Sequence, residues 1–243
     1  MTYTELFITV KNYLQNDFPS NTWTNVAGTG TTTSTGTEQI NTFITQAEER
    51  IYNSVQIPPL RKNVTGLTTS GNKYLSCPAD FMSVFSMAVI ENVGTATENY
   101  EYLLNKDVNY IRAAYPSSQD QGLPQYYALF GPTVVTSTIT DELSFILGPT
   151  PDATYSVELH YYAYPESITV AADGRTWLGD NYSPVLLYGT MLEAYIFLKG
   201  EQDLMAVYKG KYDEALGQLN RLGTGLERGD AYRDGQAKIK VNP

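Results

Sequence analysis

The hydrophobic period changes twice along this chain, and that order restricts the fold more than any other feature. Thr2 and Glu5 form a capping-box pair, and Tyr3, Leu6, Val10, Tyr13 and Leu14 follow at helical spacing. This predicts a first helix over roughly residues 3–16, ended by the NDFPSN stretch. Ile40, Phe43, Ile44, Ala47 and Ile51 form a second apolar stripe, with Glu48, Glu49 and Arg50 on the solvent side. After Pro58 and Pro59 the period becomes two. Short alternating runs surround the Ser70-Gly71-Asn72 turn signal, and FMSVFSMAVI, LPQYYALFG, LSFILGP and TYSVELHYYAYP read as strands. The stretch YEYLLNKDVNYIRAAYP reads as an inserted helix, and GPTPDATY as a turn that makes a hairpin of the last two strands. The helical period then returns. Ser183 is a good N-cap and Pro184 a good first helical residue for a stripe of Leu187, Met191, Ala194 and Leu198. Lys199-Gly200 ends that helix, and Leu204, Tyr208, Tyr212, Ala215, Leu219 and Leu222 define another up to Gly223 and Gly225.

Two helix pairs, each with one apolar face, flank a β-rich middle. The expected class is therefore α+β: a four-helix bundle built from both ends of the chain, with an antiparallel, sandwich- or barrel-like β insertion. The corresponding organisation is a discontinuous helical part, 1–56 with 177–225, a β-rich part, 57–176, and an extended C-terminal arm, 226–243. Residues 24–37, TNVAGTGTTTSTGT, read as a mobile Gly/Thr-rich loop. With no lysine there, this is not a phosphate-binding loop.

Composition narrows the function. The 243 residues carry a formal net charge of -10 and no run of basic residues that would grip nucleic acid phosphates. An acidic chain repels DNA, yet it suits a channel through which DNA slides without sticking. Charged residues are only 17 %, so polar uncharged surface is large, which suits packing against other protein copies. The single cysteine, Cys77, makes no intrachain disulfide and reads as a small buried hydrophobe. The N-terminal stretch does not read as a signal peptide, and no apolar run approaches a membrane span.

Candidate chemistry is sparse. His160 is the only histidine and shares a strand face with Glu158 and Tyr162, which reads as a structural histidine beside tyrosines. Neither a histidine-based metal site nor any cofactor site is expected. The carboxylate pairs Glu48-Glu49, Asp141-Glu142 and Asp213-Glu214 read as solvated surface, although a glycosidase needs only two carboxylates. The Arg228-Gly229-Asp230 triplet reads as a chance match. The 20 tyrosines cluster in YEYL, YYALF and HYYAY. Tyrosine combines contact area, low entropy cost and a polar handle, so these clusters point to protein–protein contact, with simple β packing a close second.

Five stretches, in order, resemble one family. TFITQAEERIYNSVQIPPLR (42–61), YLSCPADFMSV (74–84), LPQYYALFG (123–131), LSFILGPTPDATYSVELHYYAYPESI (143–168) and the closing helix pair over 177–222 are similar to the signatures of phage head-to-tail adaptor proteins. Residues 19–37 depart from the pattern as an insertion. The resemblance implies a structural virion protein rather than an enzyme. It would form a ring of about twelve copies beneath the portal, joining head to tail and extending the DNA channel. The expected partners are the portal protein, tail proteins (nozzle, tube or fibre) and other copies of the chain, with genomic DNA passing through the lumen. Assembly would occur in the host cytoplasm.

In relatives the C-terminal segment leaves the bundle and docks on the portal. The residues carrying that role here would be Arg228, Tyr232, Arg233, Lys238, Ile239, Lys240 and Val241. The lysines would pair with acidic portal groups, and Ile239 and Val241 would add a strand to a portal edge. The alternatives are a virion-associated peptidoglycan hydrolase or sugar-binding module, and a neighbouring tail nozzle or stopper protein.

Overall fold

The computed structural model describes residues 1–24, 31–131, 133–135, 138–141 and 143–226, with the backbone alone at 23–24, 133–135 and 138–141. The chain divides into two compact units. One comprises Met1–Pro59 with the chain from Pro165, and the other Leu60–Tyr164.

Helix α1 (Tyr3–Leu14) starts at the Thr2/Glu5 capping box. Thr2 Oγ1 accepts from the Glu5 N–H at 3.3 Å, and Glu5 Oε2 accepts from the Thr2 N–H at 2.8 Å. The chain then forms a hairpin of β1 (Asn21–Thr24) and β2 (Thr31–Ser34), where the Gly/Thr composition suggests only a loop. Its threonines supply β propensity that outweighs the flanking glycines. A second capping box, Thr35 with Glu38, opens α2 (Gly36–Ser54). Ile40, Ile44 and Ile51 on its inner stripe are fully buried.

Helix α4 (Trp177–Asn181) is capped by the Thr176 hydroxyl. Helix α5 (Ser183–Phe197) begins at Ser183 itself. Tyr182 occupies the cap position without a side-chain hydrogen bond, so Ser183 is not the N-cap. Lys199 in the left-handed region, at φ 52°, turns the chain into α6 (Gln202–Leu226).

The expected four-helix bundle with a β insertion is not what forms. Among the described residues, five helices and a hairpin make the first unit, and its helices are arranged around α5, against which α1, α2, α4 and α6 all pack. The reason lies in α5. Val185, Leu186, Gly189, Thr190, Met191, Leu192 and Ala194 are all buried and spread around most of the helix, which leaves only Pro184 at its start and Ile196 and Phe197 at its end exposed. A helix that is apolar all round becomes a core element rather than one wall of a bundle. Gly189 permits the close approach: a Cβ there would stand 3.2 Å from the Tyr212 ring and 3.3 Å from Ala47.

Glu48, expected in solvent, is buried. Its Oε1 accepts from the Ile168 N–H at 3.0 Å. The carboxylate thus fastens α2 to the segment that precedes α4.

The second unit, Leu60–Tyr164, is built from two four-stranded sheets, a further hairpin and a short helix. One sheet has the order β3 (Arg61–Leu67), β12 (Ser156–Ala163), β5 (Phe81–Glu91), β6 (Asn99–Tyr102), all antiparallel. The other has the order β4 (Tyr74–Ser76), β11 (Ser144–Gly148), β8 (Tyr126–Leu129), β7 (Leu104–Asn105), where the β7–β8 pair is parallel. A further hairpin joins β9 (Thr133–Val135) and β10 (Thr138–Asp141). The stretch expected as one helix over 100–116 splits into β6, β7 and a short α3 (Val108–Ala114), which Asp107 caps. β11 and β12 do not form a hairpin, because they belong to different sheets.

The two sheets share one core. Met87, Val89, Val157, Leu159 and Tyr161 from the first meet Tyr127, Phe145 and Leu147 from the second. On the far side of the second sheet, Ile111 of α3 covers Ala128 and Ile146.

Candidate interaction surface

Each sheet of the second unit has one face in the core and one turned away from it, and the outward faces hold the candidate functional residues. On the first sheet, alternation places Arg61, Asn63 and Thr65 of β3 beside Tyr162, His160 and Glu158 of β12. Across β12 the pairing with β5 slips. His160 faces Ser86, but Tyr161 faces Val84, so Phe85 is the extra residue of a bulge. The bulge turns Phe85 outward, and it is 51 % exposed. Its ring meets the His160 ring edge-on at 4.9 Å. The Arg61 guanidinium lies over it at 4.0 Å, and Arg61 Nη2 donates to the Tyr162 hydroxyl at 2.7 Å. Asn63 Nδ2 donates to Glu158 Oε1.

Beside this cluster is a shallow slot of about 110 Å³, lined by Ser86, Ala88, Tyr102, Glu158 and His160. Small residues form its floor, while the 64 % exposed Tyr102 and His160 rise at its sides. Tyr100 stands one pleat along β6. The Glu98 carboxylate holds its phenol above the ordinary tyrosine value, with further contributions from burial and from Glu158. This end of the face is therefore aromatic and negatively charged.

The outward side of the second sheet has the opposite sign. Lys106 Nζ lies 5.3 Å from the Tyr110 ring centre and 5.9 Å from that of Tyr126. Arg112 stands 4.9 Å over Phe130, and Lys73 Nζ 5.6 Å from Tyr74. Tyr110 and Tyr74 are exposed. Cations held over aromatic rings leave their charge accessible while their stems cover apolar surface.

Between the edge strands β3 and β4 an apolar cleft of about 300 Å³ opens onto Val64, Leu75, Cys77, Pro78, Val157 and Leu159. Cys77, expected to be buried, is partly exposed there.

At the residues considered for catalysis, Glu48 is buried and Glu49 exposed, so the pair does not share an environment. Burial pushes the Glu48 carboxyl above its ordinary value, against the opposing pull of the Ser167 hydroxyl and the Ile168 N–H. Asp213 is exposed, and Glu214 accepts from Lys211 Nζ at 3.2 Å. The Asp141 and Glu142 side chains lie outside the described residues, as do the Arg228-Gly229-Asp230 triplet and all the arm residues, Arg228, Tyr232, Arg233, Lys238, Ile239, Lys240 and Val241. Among the described residues no group of three His, Cys, Asp or Glu side chains could hold a metal ion, and no helix is long and apolar enough to cross a membrane.

The family model described as SU10 adaptor protein matches residues 1–237. The chain belongs to the SU10 adaptor family. It is a phage adaptor protein, a structural component of the virion whose family interacts with portal and tail proteins. No curated protein matches the chain.

The tyrosine clusters pointed toward the exposed aromatic faces of this adaptor. The sequence pattern does not single out Phe85, Arg61, Asn63, Lys106 or Arg112. The bulge that exposes Phe85 is a pairing event between distant segments and leaves no local signal, and Arg61 and Arg112 meet their rings across strands or from α3, whereas Lys106 meets Tyr110 four residues away.

Proposed function

We propose that this adaptor forms a ring beneath the portal, joins the capsid to the tail and extends the DNA channel, without enzymatic activity. The match to the adaptor family over residues 1–237 carries the reading. About twelve copies related by a rotation axis would make heterologous contacts, each copy using two different surfaces. The net charge of -10 per chain suits a lumen that DNA phosphates pass without sticking.

In this reading the segment after α6 is an arm that docks on the portal through Arg228, Tyr232, Arg233, Lys238, Ile239, Lys240 and Val241. A short segment that orders on binding has a low affinity by itself, because ordering offsets much of the contact energy. A ring of arms meeting a ring of sites multiplies that affinity through effective concentration. The test is deletion of residues 227–243. The shortened chain should keep the far-UV dichroism and unfolding transition of the full chain and lose capture by immobilised portal. Equal capture by both chains would overturn the arm's role.

A further inference from the structure

The two outward faces of the second unit have opposite character, and they lie on opposite sides of one shared core. At its β6 end one carries Glu158 and Glu98 among Tyr100, Tyr102 and His160, while Arg61 lies over Phe85 at the other end. The other carries Lys106, Arg112 and Lys73 over Tyr110, Tyr126, Phe130 and Tyr74. We propose that these faces are the two halves of one interface between copies: the cation-bearing face of one copy docks on the acidic, slotted face of the next. The inference deepens the ring reading and rests on it.

Three features support a second copy as the occupant. The slot between Tyr102 and His160 is open at the top, has a floor of Ser86 and Ala88, and has Glu158 on its wall. That shape takes the stem of a long basic side chain between two rings and its head at the carboxylate. The same chain presents such side chains, already raised on aromatic rings, on the opposite side of the core. Finally, two different complementary surfaces on opposite sides of one body generate head-to-tail contacts, which close into a ring when the rotation per copy permits. A face complementary only to itself would give a two-fold dimer instead. Exposed aromatic rings are also enriched at interface centres.

Charge reversal tests the pairing. Glu158→Lys should weaken self-association of the full-length protein, followed by sedimentation velocity up to millimolar concentration, by about tenfold or more, because like charges then meet. Lys106→Glu should do the same. The two variants mixed in equal amounts should associate again. In an alternating assembly the two reversed charges, one from each variant, oppose each other at every second contact, and the contacts between are native. The double variant Glu158→Lys/Lys106→Glu should also recover. Unfolding transitions matching the wild type show that any loss is not misfolding, and recovery in the mixture makes the same point independently.

Single variants that associate like the wild type, a wild type that stays monomeric throughout, or a mixture that fails to recover would each overturn the pairing. The same variants incubated with the portal separate this claim from the one beneath it. Variants that form wild-type rings on the portal contradict the face assignment alone. A wild type that forms no ring there contradicts the adaptor reading, and the pairing with it.

Discussion

Replacing Glu48 separates what its oxygen does from what its charge does. Ile168 is 1 % exposed, and its N–H donates to Glu48 Oε1 at 3.0 Å. Glu48→Ala removes that acceptor, and a buried unsatisfied N–H costs about 1–3 kcal/mol. It also deletes one buried methylene, worth about 0.8 kcal/mol. Glu48→Gln keeps the acceptor and removes only the charge, with the Ser167 hydroxyl beside the new amide. The alanine variant should therefore lie about 2–4 kcal/mol below the glutamine variant, at every pH, because neither titrates.

The wild type behaves differently. Burial raises the Glu48 carboxyl above its ordinary 4.5, so the folded state binds this proton more tightly than the unfolded chain. That contribution to stability is fully present below the ordinary value and is lost as pH rises through the raised one. Glu48→Gln should consequently match or exceed the wild type at neutral pH, and the wild type should gain on it as pH falls toward 4.5. Urea unfolding followed by far-UV circular dichroism, at neutral and mildly acidic pH, measures all three proteins. A glutamine variant less stable than the wild type by more than about 1 kcal/mol at neutral pH would refute the reasoning, since the charge would then be stabilising.

Other perturbations follow from the same geometry. The Asp80 carboxyl is pushed up by burial but held below its ordinary 3.8 by Lys62 and the Tyr161 hydroxyl, so its contribution is present above 3.8 and lost as pH falls through the lower folded value. Asp80→Asn should lower stability by less than about 1 kcal/mol at neutral pH, given the exposure of the pair, with the difference closing in acid, as chemical unfolding at several pH values would measure. A Cβ at Gly223 would stand 2.4 Å from Ile57 Cγ2, so Gly223→Ala should reduce stability by about 1–3 kcal/mol in thermal unfolding. Thr35→Ala removes the hydroxyl that caps α2 and should reduce stability by about 1 kcal/mol by the same assay.

Local chemistry was readable in the sequence wherever it acted alone. The Thr2/Glu5 capping box, the apolar stripe of α2 and the Lys199-Gly200 stop depend on neighbours a few residues away, and each sits where its spacing indicated. Spacing misled where the answer depended on distant segments. Glu48 lies beside the buried stripe of α2, and only the later Ile168 N–H makes its burial tolerable. The apolar run of α5 showed a stripe, but only the surrounding helices reveal that most of its circumference is covered. GPTPDATY looked like a hairpin turn because turn residues signal reversal without saying which sheet receives the next strand. The aromatic faces were foreshadowed by tyrosine clustering, but the sign of charge on each face emerges only when β6, β12 and α3 are brought to their places.

The most direct test of the adaptor account is the mass of the full-length protein by light scattering, alone and then mixed with the cognate portal. The account predicts a portal complex whose added mass corresponds to a stoichiometric ring of adaptor chains. A protein that leaves the portal's mass unchanged at all mixing ratios would contradict it.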